Sequence, residues 1–434
     1  MIQVICLKTD KIYRLFCDTS HYEKIEGPFE IPESWEWCKI DDIGEVITGN
    51  TPPKSQKNYF GGPIPFFKPT DLEQGFKTTK SSDSLTNDGY KVSRQLPKNS
   101  ILVTCIGATI GKTGIIRNEG SCNQQINAIV PATIINPEYI YFLCISNYFQ
   151  KAVKTSASAT TLPILNKNIF SKLLLPLPPE KEQNEIVQTI QKWLSYVENI
   201  ENSIIGVKKD AEVTKSKILS LAISGKLIPQ DPSDEPAIEL LRRINPDFKP
   251  CDNSHYENLP EGWVIATVAD VFEINPKVQA SDDIDAGFIP MANICDGYKN
   301  AFSFETKKWA KIKNGFSRFA NGDIAVAKIS PCLENRKSVI LRGLPNGIGA
   351  GTTELNIFRS SVVIPEYGLL FFKSDEFIKK CAGSYNGVVG QQRVSRSLIE
   401  EMQFLVPPIK EQYRIVAMVE KHFNAIDRID RALL

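Results

Sequence analysis

The chain has 434 residues and a formal charge of +1, from 51 Lys and Arg against 50 Asp and Glu. That length predicts two or three domains, and the 42% apolar share suits packed cores rather than disorder. The charge balance removes any global basic signal for nucleic acid, and ten scattered cysteines with only three histidines speak against a metal site.

The N-terminal "MIQVICLKTDK" holds too short an apolar run for a signal peptide, and no stretch reaches the roughly 18 apolar residues of a membrane span. A cytoplasmic chain with reduced thiols in its cores is expected, with no membrane partner, metal, cofactor or catalytic residue. Residues 1–30 read as a lead-in segment. Within it, "CDTSHYE" (17–23) has a twin, "CDNSHYE" (251–257), and each twin is followed by Pro-Glu-x-Trp, "IPESW" (31–35) and "LPEGW" (259–263).

The echo continues in order. "IPFFKPTD" (64–71) lines up with "IPMANICD" (289–296), "NSILV" (99–103) with "GDIAV" (322–326), and "LPLPPEKEQNEIV" (175–187) with "FLVPPIKEQYRIV" (404–416). A series over roughly 170 residues has too long a period for a solenoid and predicts two homologous domains, 31–178 and 259–407. Strand-like "ILVTCIG" and "IAVAKI" followed by helical "PEYIYFLCISNYFQKAV" make each a mixed α/β domain with a small twisted sheet. Pro-Pro closes the first domain, and Glu180 and Glu182 suit the positive end of a new helix.

That helix, 179–226, carries Ile186, Ile190, Trp193, Val197, Ile200, Ile204, Val207 and Ala211 at steps of four and three, continued by Thr214, Ile218 and Leu221. The period is that of a coiled-coil seam, on a rod of roughly 65 Å at 1.5 Å per residue. Its expected partner is the C-terminal helix, 408–434, running antiparallel through Ile415, Val419, His422, Ile426, Ile429 and Leu433. A linker, 227–258, with a short helix at "AIELLRRI" joins the halves. His422 on this seam is expected to be packed or half-buried.

Several motifs are decoys. "GATIGKTG" (107–114) resembles a phosphate loop, yet Gly107 and Gly111 enclose three residues where four are required, and Ile106 stands where glycine is needed. A turn exposing Lys112 and Thr113 is expected instead. "NTPPK" (50–54) lacks the aromatic that would stack on a flipped base, and no nuclease-like Asp…Glu-x-Lys set stands out.

With these pieces together, the chain resembles the specificity subunit of type I restriction–modification systems. "IPESW" and "LPEGW", "ILVTCIGATIGKTGI…NQQINAI", "PLPPEKEQ" and "VPPIKEQ", and above all "ILSLAISGKLIPQDPSDEPAIELL" carry the resemblance, which covers nearly the whole sequence. It implies a non-catalytic subunit with two target recognition domains, each reading one half of a split asymmetric site in double-stranded DNA. It also implies helices that separate the domains and dock two modification (methyltransferase) subunits, with restriction (translocase/endonuclease) subunits in the full complex. The second copy stops at Leu434 and so lacks the arm that follows the first.

Phosphate contact needs only local patches. Domain 31–178 has 15 Lys/Arg against 11 Asp/Glu, and domain 259–407 has 17 against 16, so clustering on loops matters more than totals. The DNA-contact candidates are Lys54, Lys57, Lys68, Lys112, Thr113, Asn123, Gln124, Gln125 and Lys154 in the first domain. In the second they are Lys328, Arg336, Lys337, Thr352, Thr353, Gln391, Gln392 and Arg393, with "KKWAKIKNGFSR" (307–318) as a further basic run. Gln and Asn suit adenine, and Arg or Lys suits guanine, so Gln124, Gln125, Gln391, Gln392 and Arg393 are the base-edge candidates. Ile190, Trp193, Val197, Ile200, Ile204, Ile426 and Ile429 are the subunit-interface candidates. Two rival readings stand beside this one: a tandem-domain protein scaffold without DNA binding, and a nucleotide hydrolase using Lys112.

Overall fold

The computed structural model describes residues 5–8, 11–14, 25–158, 162–252, 259–384 and 392–433. The first twin segment, most of the second, and Gln391 lie outside them. The chain divides into two units, residues 1–200 and 201–434.

In the first unit the strand "ILVT", Ile101–Thr104, is buried at all four positions. Such a run needs cover on both faces, because successive side chains point to opposite sides. Ile101 and Val103 pack with Ile140 of the helix Pro137–Ile145 and Phe149 of the helix Asn147–Ser156, while Leu102 joins Phe67, Leu72 and Ala128 on the other face. The sheet is antiparallel, in the order Gly44–Thr48, Ile126–Pro131, Ile101–Thr104, Thr113–Ile115.

The second unit repeats this order with Glu273–Ile274, Leu355–Arg359, Ile324–Ala327 and Ser338–Ile340. Ile324 and Val326 face the helical side with Tyr367 and Phe372, and Ala325 faces the other with Ile357. The repeat read from the sequence is therefore a repeat of topology. The accessory sheets differ: three strands around Phe60–Phe67 in the first unit, four around Asp285–Ile289 in the second.

Each domain is closed by a two-stranded ribbon that joins its entry to its exit, Glu36–Lys39 with Leu174–Leu177, and Val264–Thr267 with Gln403–Val406. The repeated motifs meet beside these ribbons. Trp35 Nε1 donates to Glu182 Oε1 and Trp263 Nε1 to Glu411 Oε2, each at 3.0 Å. Gln183 donates to the Pro178 carbonyl (3.0 Å) and accepts from the Asn136 amide (2.9 Å). Gln412 donates to the carbonyls of Pro407 and Val362 (3.1 Å each) and accepts from the Ile364 amide (2.9 Å). Tyr139 and Tyr367 each donate to a carbonyl of the exit strand, at 2.6 and 3.2 Å. The dipole explanation for Glu182 was thus incomplete: its carboxylate is also the acceptor for an indole far away in sequence.

The long helix is continuous over Glu180–Ile223. Its first turns bury Val187 in the core of the first unit, with Ile186 and Ile190 packed against it. Its last turns bury Leu219, Ala222 and Ile223 with Ile415, Val416 and Val419 of the C-terminal helix Ile409–Ala432. Lys215 meets Asp427 at 2.7 Å, while Gln230, beyond the end of the long helix, meets Glu411 at 3.3 Å, so the two helices run antiparallel. The seam does not bury its whole length within the described residues: Trp193, Val197 and Ile200 are exposed. His422 is exposed as well. Steps of four keep Ile415, Val419 and Phe423 in line, so Phe423 takes the inner position, 5.4 Å from the Tyr298 ring and under Lys215.

The buried glutamines generate the first prediction. Gln412→Leu should cost roughly 2–4 kcal/mol, because it leaves buried backbone groups without partners. Gln183→Leu should do the same in the first unit. Hydrogen exchange read peptide by peptide checks that each loss falls in its own unit.

Candidate nucleic-acid interface

In the first unit four loops converge. Cys105 donates its amide to the Gln125 carbonyl (2.7 Å) and accepts from the Leu165 amide (2.8 Å), and Gly107 donates to the Pro163 carbonyl (3.0 Å). The turn 106–112, the turn Asn123–Gln125 and the segment leading to Leu165 are thereby tied at one edge. The fourth loop begins at Gly49, where a Cβ would lie 2.3 Å from the Asn123 carbonyl oxygen, a contact only glycine permits. Asn50 anchors that loop, donating to the Val92 carbonyl (3.2 Å) and accepting from the Arg94 amide (2.6 Å). Thr51 then donates to Gln124 Oε1 at 2.8 Å, and Lys54 and Lys57 follow on the exposed stretch. Lys154, also exposed, sits near the end of the helix that runs towards this edge.

The second unit builds the same edge. Lys328 donates its amide to the Glu354 carbonyl (3.0 Å) and accepts from the Val394 amide (3.0 Å), and Ser330 donates to the Gln392 carbonyl (2.9 Å). Arg393 makes a two-point contact with Glu354, Nε to Oε2 at 2.8 Å and Nη2 to Oε1 at 2.7 Å. The guanidinium holds the Glu354 carboxyl below its ordinary range. Thr352 Oγ1 accepts the Glu354 amide at 3.3 Å, and Thr353 is exposed at the tip.

The candidates divide accordingly. Lys54, Lys57, Gln124, Thr353 and Arg393 lie exposed on these loops and Lys154 on the helix Asn147–Ser156, with Gln125, Lys328, Thr352 and Gln392 half-buried on the loops. The expectations for five residues change. Thr113 is not exposed: it opens a buried strand and its hydroxyl donates to the Gly111 carbonyl (2.8 Å). Lys112 is largely covered and pairs with Glu73 at 2.8 Å, which lowers that carboxyl's pKa. The turn is glycine-rich because Gly111 adopts φ +90°, and no helix follows to present amides to a phosphate. Arg336 and Lys337 turn inward: Arg336 donates to the Lys373 carbonyl (3.1 Å) and pairs with Asp375, and Lys337 donates to the Ile294 carbonyl (2.6 Å). Asn123 is buried, bracing Gln125 through Nδ2 at 2.9 Å.

Two further basic features are paired locally, the second in part. Lys68 pairs with Asp83. In the run 307–318, Lys308 pairs with Asp285 (2.8 Å), Lys313 with Asp282 (2.6 Å), and Lys307 with Glu305 (2.9 Å). Residues that sequence reasoning missed are Thr51, Glu73 and Glu354. None left a signal in the sequence; the equivalence of Glu354 with Gln125 is set by the matching bonds of Lys328 to Glu354 and Cys105 to Gln125.

Along the long helix Ile190 and Ile204 are half-buried, whereas Trp193, Val197 and Ile200 are 64%, 51% and 59% exposed. On the C-terminal helix Ile426 is half-buried and Ile429 exposed. Among the described residues no group of His, Cys, Asp and Glu is placed to hold a metal ion, and no helix is long and apolar enough to cross a membrane.

A family model described as "Type I restriction modification DNA specificity domain" matches residues 32–209 and again 260–433. Among curated relatives, the chain is similar to the Type I restriction enzyme EcoAI specificity subunit of Escherichia coli, 42% identical over 250 residues, covering 53% of this chain and 42% of that protein. It is also similar to the EcoKI specificity subunit of Escherichia coli (strain K12), 21% identical over 415 residues, covering 93% and 85%. The chain spans about half or less of the length of EcoAI and the similarly matched EcoEI subunit. In fold it is similar to the HsdS subunit from Thermoanaerobacter tengcongensis, with TM-score 0.53, 14% identity and 94% of each chain covered. A chain from a study titled for complex assembly and conformational transition of the type I R-M system gives TM-score 0.59, at the same identity and coverage.

Elsewhere in the second unit, Lys373 is buried and donates to the carbonyls of Gly297 (2.6 Å) and Arg336 (2.9 Å). Burial, then the Arg336 charge, pushes its pKa from 10.5 down to about 7. The unfolded chain therefore binds more protons between these values, and the contribution of Lys373 to stability rises with pH across that window. Relative to Lys373→Met, the wild type should gain up to about 1.4 kcal/mol per pH unit from pH 7 towards 10, measured by denaturant unfolding.

Proposed function

The chain belongs to the type I restriction–modification DNA specificity family, and on that premise we propose that it reads double-stranded DNA, one half-site of a split asymmetric sequence through each recognition domain, 31–178 and 259–407. The observation that carries this reading is the pair of equivalent loop edges. Each hangs on a four-stranded sheet of the same strand order, and each presents polar and cationic side chains to solvent, Lys54, Lys57 and Gln124 on one and Thr353 and Arg393 on the other. Near-zero net charge suits a protein that concentrates phosphate contact on loops and leaves base-edge groups to specify. In this reading the chain acts in the cytoplasm and has no chemistry of its own.

The exposed Trp193, Val197 and Ile200, with Ile190, Ile204, Ile426 and Ile429, form surfaces for the modification subunits, two per chain, and restriction subunits join them in the full complex. A largely exposed indole on a helix is expensive in water unless a partner covers it, and aromatic residues dominate such contacts. A scaffold without DNA binding would leave both loop edges unexplained.

Three outcomes test this. Replacing residues 259–407 with the equivalent domain of a relative should change one half of the methylated motif and leave the other half intact, read by methylation profiling of cellular DNA. Affinity for specific duplex should also fall steeply with salt. Trp193→Asp should reduce co-purification of the methyltransferase subunits by tenfold or more, a loss of at least about 1.4 kcal/mol, while leaving salt-dependent DNA binding in place.

A further inference from the structure

We propose that Gln124 is the residue with which the first domain discriminates a base, and that the base is an adenine read from the major groove; the assignment rests on the DNA-reading function proposed above. The turn that carries it is closed on itself. Asn123 Nδ2 donates to Gln125 Oε1 (2.9 Å), and the Gln125 amide donates to Asn123 Oδ1 (3.1 Å), so both flanking side chains are engaged within the turn. The backbone is held as well, with the Asn123 amide on the Phe67 carbonyl (3.1 Å) and the Gln125 carbonyl on the Cys105 amide (2.7 Å). Gln124 alone of the three is exposed.

Its amide is also oriented. The Thr51 hydroxyl donates to Gln124 Oε1 at 2.8 Å from a loop pinned by Asn50. That bond occupies one lone pair of the oxygen and fixes the amide plane, leaving the second lone pair and both Nε2 hydrogens for a ligand. A donor and an acceptor side by side in a fixed plane match adenine N7 and N6. Lys54 and Lys57, on the same loop as Thr51, supply positive charge next to the reader without information about the base.

The second domain supports the choice of position. Its turn Thr352–Glu354 repeats the bonds of the first: the side-chain oxygen of the first residue accepts the amide of the third, and the carbonyl of the third accepts the amide of the strand end. The tip is Thr353 instead of Gln124. The frame is kept and the projecting residue differs, as expected where two copies of one scaffold read different bases.

The experiment is methylation profiling of DNA from cells carrying the full chain with its methyltransferase subunits. Gln124→Ala should relax one adenine position of one half-site by 10- to 100-fold in discrimination, leaving the other half-site unchanged. Thr51→Val should relax the same position by a smaller factor. Lys54→Ala should lower methylation across all sites without altering the motif. If alanine removes methylation altogether, Gln124→Glu decides. A carboxylate accepts from cytosine N4, so a change from adenine to cytosine at that one position supports the proposal. An unaltered motif, a lack of methylation with Gln124→Glu, or relaxation at a base other than adenine overturns it. If the wild-type complex methylates without any sequence restriction, the DNA-reading function fails instead.

Discussion

The rest of the fold hangs on a polar anchor at each domain exit, half-buried where Trp35 meets Glu182 and buried where Trp263 meets Glu411. The anchor makes the start of a helix part of the domain before it, because Gln183 and Gln412 satisfy backbone groups of the domain from the helix side. Buried polar groups of this kind are costly when unpaired, so the geometry is close to all-or-none. In the second unit the linker joins in: Gln230 donates to Glu411, and Asp234 pairs with Arg414. Burial raises the pKa of Glu411, and the indole and amide donors oppose that shift. This network gives a physical role to two polar members of "KLIPQDPSDEP", since Gln230 and Asp234 are partners of a helix start about 180 positions away.

Around this fixed frame the two copies part company at their edges. The position that is Gln125 in one copy is Glu354 in the other, and the change of one amide to a carboxylate recruits Arg393. Lys112 faces Glu73, whereas Lys337 is turned onto backbone carbonyls. The accessory sheets also differ, and with them the local charge pairing. At the equivalent turns the backbone is held by the same main-chain bonds, so there a side chain can change without moving the strand that carries it.

Much of the architecture was legible because its signals are long-range echoes and long periods. The repeat, the shared order of strand and helix signals, and a helix from 180 to 223 need no knowledge of contacts. The failures are instructive. Lys337 and Arg336 look like loop cations, but Arg336 takes φ +57°, and the turn sends both side chains back into the domain. Thr113 follows a lysine in a glycine-rich stretch, yet it opens a strand whose three residues are buried. A strict four-three count put His422 inside the helix pair, where the bulk of Phe423 prevails. The bond from Thr51 to Gln124 spans 73 positions and has no periodicity to betray it.

The closing ribbons bear on how the chain is made. Cys38 and Leu175 are hydrogen-bonded across a separation of 137 residues, and the anchoring indole lies 147 positions from its carboxylate. During vectorial synthesis the entry strand of the first domain must therefore wait, unpaired, until the exit strand and the first turn of the long helix have left the ribosome. Closing so long a loop is entropically slow but adds only logarithmically to the free-energy cost. Domain and helix start mature in a single late step. A nascent chain interrupted ahead of Leu174 carries an open ribbon edge and an indole without its acceptor, which marks it for aggregation or proteolysis rather than for assembly.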